Sequence, residues 1–415
     1  MNIKNTIGIF TMIIVIGGGA ATGGIVLPIP QPPALPPLPS DDELIFADER
    51  LAVVFPVIQK FKNIIISDPF NITVTWVGSD ICSYRGFYCE SPPDNKSATA
   101  LASIDFNGFQ LTAPTLVGFL DSLPDLALFH ANSNNFAGAI SPAIGNLKYL
   151  YELDLSNNKF TGAFPAAAVL GMTGLFFLDL RFNFFSGSVP PQLFFNTKFA
   201  LGLDALFLNN NNFLTRFPDA AAGGGGGGGH IAFLTLANNK FFGPIPRSVS
   251  RSLSNISEIL LINNMLSGCL PHELGLLTDA VVFDGGGNRL TGLLPVSLGC
   301  LRKLEVMNFA GNLLYGSVPE VLCGIGSLAN LSLSDNYFTR VGPVCLGLIK
   351  SGVLDLRKNC VPGLPLQRSW AECGAFFARP RYCVAHAPPA SWRGQLPCSI
   401  PHSALGLSEL APSPT

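Results

Sequence analysis

The chain of 415 residues carries 25 Lys and Arg against 27 Asp and Glu, a formal net charge of −2. That balance leaves no basic footprint for nucleic acid. Although 48% of residues are hydrophobic, no run reaches the ~20 apolar residues that a membrane-spanning helix needs.

Residues 1–24 read as a secretory signal peptide: Lys4 gives a positive start, Ile7 to Ile16 (IGIFTMIIVI) an apolar run, and GGGAATGG a small-residue end. Residues 25–42 form a Pro-rich linker around PIPQPPALPPLP, extended and polyproline-like. An N-terminal cap is expected over 43–100. It begins with a helix over 43–66, where Leu51, Val54, Phe55, Ile58, Phe61 and Ile65 fall at 3- and 4-residue spacing. Pro56 predicts a kink or a break in it. A D-P turn, Trp76 and the close pair Cys82 and Cys89 follow.

Leu150 to Pro165, LYELDLSNNKFTGAFP, fits the pattern L-x-x-L-x-L-x-x-N-x-L, one turn of a leucine-rich-repeat solenoid. The Asn position recurs at Asn134, Asn158, Asn183, Asn211, Asn239, Asn264, Asn288, Asn312, Asn336 and Asn359, with spacings of 24, 25, 28, 28, 25, 24, 24, 24 and 23 residues. A first turn at Leu101 to Leu111 has Phe109 in place of Asn, as terminal repeats tolerate. About 10–11 turns are expected over 101–361. In each strand the leucines point inward, and Glu152, Asp154 and Ser156 point outward. Phe136, Phe160, Phe185, Phe213, Phe241 and Phe338 follow the Asn at inward positions, which assigns much of the Phe content to core. G-x-[IFVL]-P recurs from Gly162–Pro165 to Gly316–Pro319 and resembles the plant-specific, extracellular subtype. The fold class expected is therefore an α/β solenoid: a curved, right-handed leucine-rich-repeat superhelix of plant-specific type, with a parallel concave sheet and disulfide-bonded caps. Gly223 to Gly229 contains G-x-G-x-x-G, but a strand follows it where a dinucleotide site needs a helix. It is read as an outer-face loop. Residues 362–383 read as a C-terminal cap and 384–415 as a disordered tail.

Cys323 and Cys345 stand in successive repeats, placed to staple them, and Cys360 with Cys373 suits a cap bridge. For Cys269 and Cys300, pairing or separation are both open, since spacing does not fix connectivity. Cys383 and Cys398 are left over, which suggests a disulfide-linked homodimer. No C-x-x-C or Cys/His metal spacing is present, so neither metal nor cofactor is expected. Sequons at Asn71, Asn95, Asn255 and Asn330 are candidate glycosylation sites. A glycan on Asn330 would cover part of the strand face.

The segments SDPFNITVTWVGSDICSYRGFYC, DLALFHANSNNFAGAISP, LYELDLSNNKFTGAFP, FLDLRFNFFSGSVPPQLF, LTLANNKFFGPIP and LSGCLPHELG closely resemble the repeat domain of plant leucine-rich-repeat extensins. The resemblance spans roughly residues 43–383 and includes both caps. It implies a Cys82–Cys89 bridge in an N-terminal cap that covers the apolar end of the solenoid. No Ser-Pro-Pro-Pro run follows Cys383, so the chain is most similar to members without the extensin tail. The resemblance implies a secreted, non-enzymatic protein of the cell wall and apoplast. Its implied partners are wall proteins or polysaccharides and, above all, basic, Cys-rich rapid alkalinization factor peptides.

Two further readings compete. One is an inhibitor of wall-degrading glycosidases, of the polygalacturonase-inhibiting type. The other is a glycosidase built on paired carboxylates such as Asp154 and Asp179, which needs a cleft and one carboxyl of raised pKa. The candidate ligand face comprises His130, Glu152, Asp154, Asp179, Arg181, Asn209, Glu258, Asp284, Asp355 and Arg357. Its six acidic and two basic residues give a net −4, against −2 for the whole chain. That concentration favours a basic partner.

Overall fold

The computed structural model describes residues 44–195, 202–219, 230–379 and Cys398. The signal peptide, the Pro-rich linker, Gly223 to Gly229 and all of the tail except Cys398 lie outside them.

The helix Glu49–Ile64 is capped by Asp48, whose side chain accepts from the backbone N–H of Arg50 and of Thr99. It continues through Pro56 with no break. Leu51, Val54, Ile58 and Phe61 are its buried stripe. Phe61 stacks on Phe119 at 3.9 Å, and Trp76 stacks on Phe106 at 5.3 Å while donating Nε1 to Arg85 O. The cap therefore joins the aromatic core of the first turn, as expected for an element that hides an open apolar end. Cys82 and Cys89 are bridged.

A twelve-stranded sheet begins with the antiparallel pair Phe87–Glu90 and Ala100–Asp105. Parallel strands follow, one per turn: Leu128–His130, Glu152–Asp154, Phe177–Asp179, Ala205–Phe207, Phe233–Thr235, Glu258–Leu260, Val282–Asp284, Val306–Asn308, Asn330–Ser332 and Leu354–Asp355. Their central residues, from Ile104 to Leu354, are all buried. Two five-stranded sheets run along a second side. One spans Thr112–Ala113 to Asn212–Phe213, the other Phe242–Gly243 to Tyr337–Arg340. The two are joined by the bridge Arg216↔Phe242 and by the hydrogen bond from Lys240 N–H to Phe213 O. Short helical turns such as Pro142–Asn146, His272–Leu276 and Glu320–Cys323 close the remaining side.

The repeating asparagines explain the stack. Asn264 Nδ2 lies 3.0 Å from Leu261 O of its own turn and 3.0 Å from Leu236 O of the turn before. Its Oδ1 accepts from Phe241 N at 2.9 Å. The same pattern recurs from Asn134 to Asn359. Each asparagine thus replaces backbone partners that a chain turning out of a strand cannot supply. Phe109 stands where this ladder ends. An asparagine bonds to the turn before it, and nothing but the cap precedes the first turn. Phe109 instead packs against Phe106, under Arg85. The six phenylalanines expected after the asparagines are fully buried.

The residue before each ladder asparagine adopts a left-handed backbone: Ser133, Asn157, Phe182, Asn210, Asn238, Asn263, Gly287, Gly311, Asp335 and Lys358. Asparagine and glycine suit this conformation; a bulky residue does not. Phe182 holds φ at +53° and is 44% exposed. Asn263, Asn238 and Asn210 form a surface ladder at 2.9 Å that stops short of it. Phe182→Asn is therefore expected to relieve strain and to raise stability by about 1 kcal/mol, read as a higher denaturation midpoint. A lower midpoint would show that Phe182 packs usefully where it is.

The C-terminal cap is stapled by Cys360–Cys373, and Cys323–Cys345 joins successive turns. Ser369 and Glu372 form a capping box on the helix Trp370–Phe377, and Phe376 stacks on Tyr337. Cys300 is bonded to Cys398, so it does not pair with Cys269, which is disulfide-bonded in its own right. This corrects the reading of Cys398 as a spare thiol for dimerisation: its sulfur is already engaged within the chain. Cys383 lies outside the described residues.

Candidate functional site

The outward positions of the strand face fall into columns set by register. One column runs Asp105, His130, Asp154, Asp179, Phe207. Its neighbour runs Ser103, Leu128, Glu152, Phe177, Ala205, Phe233. The first turns of the face are therefore acidic, and the next are aromatic.

In the acidic part, His130 Nε2 lies 2.9 Å from Glu152 Oε2. That hydrogen bond raises the imidazole above its usual range; Glu152, Asp154 and Asp105 add to the effect and burial opposes it. Asp154 Oδ1 accepts from the N–H and the hydroxyl of Ser156. Ser156 is itself fully buried, a correction to its expected outward position: its hydroxyl also accepts from Asn132. Asp105 completes this part. With Phe109 in place of the ladder asparagine, the first turn does not announce the register of Asp105 in the sequence.

Asp179 departs most from expectation. It is fully buried, where the L-D-L spacing placed it outward. The register sets it between Asp154 and Phe207. Arg181, whose guanidinium carbon lies 5.4 Å from the centre of the Phe207 ring, approaches Asp179 Oδ2 with Nε at 2.9 Å. That approach is an ion pair without hydrogen-bond alignment, since Oδ2 accepts from no donor. Burial, with a smaller push from Asp154, raises the carboxyl to about 8, against the opposing pull of Arg181. A carboxyl of raised pKa is thus present, but its Oδ2 is sealed from solvent and cannot serve as the acid of a glycosidase pair. Asn209 is also buried, with its Oδ1 unpartnered, and it presents no surface to a ligand.

The remaining candidates do not gather at one place. Glu258 is raised by burial alone. Asp284 is raised by burial, against hydrogen bonds from Gly286 N and Asn308. Arg357 clamps Asp355 through Nε and Nη2 and holds its carboxyl below the usual range. Asn71, Asn95, Asn255 and Asn330 are all exposed.

The aromatic part was hidden by assigning phenylalanine to the core. Tyr151 and Phe176 stack at 5.1 Å with their planes 2° apart. Phe177 and Phe207 meet edge-to-face at 5.6 Å. Phe176, Phe177, Phe207 and Phe233 are half-buried and Tyr151 is exposed. The signal was available: in FFLDL, ALFL and FLTL these residues flank inward leucines instead of following an asparagine.

One short parallel strand per turn, a buried asparagine after it and a second sheet alongside define a plant-type leucine-rich-repeat solenoid. The Leucine Rich Repeat family pattern matches residues 149–168. The chain is 44% identical over 340 residues to Leucine-rich repeat extensin-like protein 4 of Arabidopsis thaliana, a match covering 82% of this chain and 66% of that protein. It is 39% identical over 361 residues to Leucine-rich repeat extensin-like protein 6 of the same plant, covering 86% and 72%. The chain belongs to the leucine-rich repeat extensin-like family, and it spans a little under two thirds of the first of these relatives. Among solved structures it is similar to a plant peptide hormone receptor, RGFR1, in complex with RGF2 (TM-score 0.52, 25% identity, 58% of this chain and 37% of that one). A plant ice-binding protein shares the fold (TM-score 0.61, 23% identity, 77% and 98%). Among the described residues no helix is long and apolar enough to cross a membrane.

Proposed function

We propose that this chain is a secreted, non-enzymatic protein of the plant cell wall whose strand face binds a basic peptide ligand. The favoured ligand is a Cys-rich rapid alkalinization factor peptide, in the service of wall integrity and growth. The observation that carries the reading is the acidic patch of Asp105 on one strand and Glu152 and Asp154 on the second strand after it, flanking His130 on the strand between. Carboxylates grouped on one face steer a cation and lose their effect as salt is added. The family and the peptide-bound receptor of similar fold both support a ligand-binding solenoid.

Asp179 is left out of the test because it is buried. Glu152→Gln with Asp154→Asn removes two charges while Asn keeps the acceptor for Ser156. At low salt the double variant is expected to bind a synthetic rapid alkalinization factor peptide about ten-fold more weakly, with a flatter salt dependence. Unchanged affinity and salt slope in a folded variant would place the ligand elsewhere. Capture of a polygalacturonase, with no binding of the peptide, would favour the inhibitor reading.

A further inference from the structure

The strand face is two surfaces side by side. Glu152 and Asp154 stand on one strand, and Phe207 stands two strands on. Phe177 lies between them, edge-on to Phe207, and the Arg181 guanidinium, paired with Asp179, lies over the Phe207 ring. Phe177, Phe207 and Phe233, half-buried on one sheet face, form a contiguous apolar patch of the kind that marks an interaction site. The adjoining carboxylates select the charge of whatever covers it.

We propose that this face grips an extended, cationic segment of a partner through two determinants: a basic side chain on Glu152 and Asp154, and a bulky apolar side chain on Phe177 and Phe207. The proposal rests on the reading of this face as the ligand face and specifies what the ligand must present. Neighbouring strands lie ~4.8 Å apart, so the two halves are separated by two spacings, roughly 10 Å. An extended ligand crossing the strands advances ~3.1 Å per residue as polyproline II, so three residues cover that distance. In a β-strand the third residue faces away from the surface. In polyproline II, with three residues per turn, it returns to the same side. The segment is therefore polyproline-like, with its basic and apolar side chains at positions i and i+3. Arg181 sets its direction. A guanidinium beside Phe207 repels a second cation and stacks with an aromatic ring. The basic residue accordingly sits toward the lower-numbered turns.

The test uses the full secreted chain and fluorescent peptides on a Pro/Ser background. Each peptide carries one Arg and one Phe, in both orders, separated by one, three or six positions. At separation three, one order is expected to bind at least ten-fold tighter than the other separations. Phe207→Ser should abolish the advantage of Phe but leave that of Arg. Glu152→Gln with Asp154→Asn should do the reverse. Glu152, Asp154 and Phe207 are half-buried on the sheet face, so unchanged melting curves are required to confirm folding of both variants. Equal affinity at all separations, or no effect of Phe207→Ser, overturns the proposal. If binding ignores spacing but a longer cationic peptide still responds to the loss of Glu152 and Asp154, the spacing rule falls and the acidic ligand face stands. If no cationic probe binds, both fall.

Discussion

Asn264→Ala is expected to cost about 3 to 5 kcal/mol, while Asn263→Gly, its neighbour in sequence, costs well under about 1 kcal/mol. The difference lies in what each amide does. Asn264 is buried, and its Oδ1 is the acceptor for the N–H of Phe241. Removing it orphans that donor inside the stack, at about 1–3 kcal/mol. Its Nδ2 also serves Leu236 O, Leu261 O and Ile262 O. Each of these carbonyls keeps one partner, from Asn239 Nδ2, Asn288 Nδ2 and the N–H of Asn238 respectively. Their loss is therefore partial, and the void left by the amide adds to it. Asn263 is exposed and left-handed, with its Nδ2 bonded only to Asn238 Oδ1 on the surface. Glycine adopts that backbone freely. Chemical denaturation of the two variants checks the contrast. Equal losses would mean that the buried ladder does not hold the turns together.

The same pair shows how far the repeat was legible in the sequence. The ladder asparagine recurs as a residue type, because only an amide offers a donor and an acceptor at once. Period and identity coincide, and the strands, the core phenylalanines and the turn count followed from them. The left-handed position recurs as a backbone state. Ser133, Phe182, Gly287, Asp335 and Lys358 share it without sharing chemistry, so no spacing announces it. The ligand face was half legible for a related reason. Alternation says which residues leave the core but not what then covers them. Glu152 and Asp154 remain accessible, whereas Asp179 in the same column is sealed beside Arg181 and Phe207. Phe177 and Phe207 were passed over because phenylalanine is usually core, and in this chain most of it is. Cys398 looked unpaired because its partner, Cys300, lies 98 residues away with no repeat relating the two.

Asp179→Asn is expected to stabilise the protein at neutral pH and to flatten the pH dependence of its stability. Burial lifts the carboxyl to about 8, from a value of 3.8 for an unperturbed group. Between those two values the folded chain holds a proton that the unfolded chain has released. Stability from this site is complete below about pH 4 and falls as pH rises through the window. A tenfold difference in proton affinity between the folded and unfolded chain is worth ~1.4 kcal/mol, so the loss reaches several kcal/mol by about pH 8. Asparagine has the same shape and keeps the Oδ1 acceptor for the N–H of Arg181, 3.0 Å away, yet has no proton to lose. Urea midpoints at pH 5 and pH 8 separate the alternatives. The parent chain should weaken at the higher pH while the variant does not. Arg181 provides the counter-case, because its Nε stands 2.9 Å from the same carboxyl. If that pair outweighed desolvation, the carboxylate would be the stable form and Asp179→Asn would weaken the protein at pH 8. Buried ion pairs rarely recover the full cost of leaving water unless every lone pair is matched. Oδ2 of Asp179 has the charge beside it but no aligned donor, which favours desolvation as the winner.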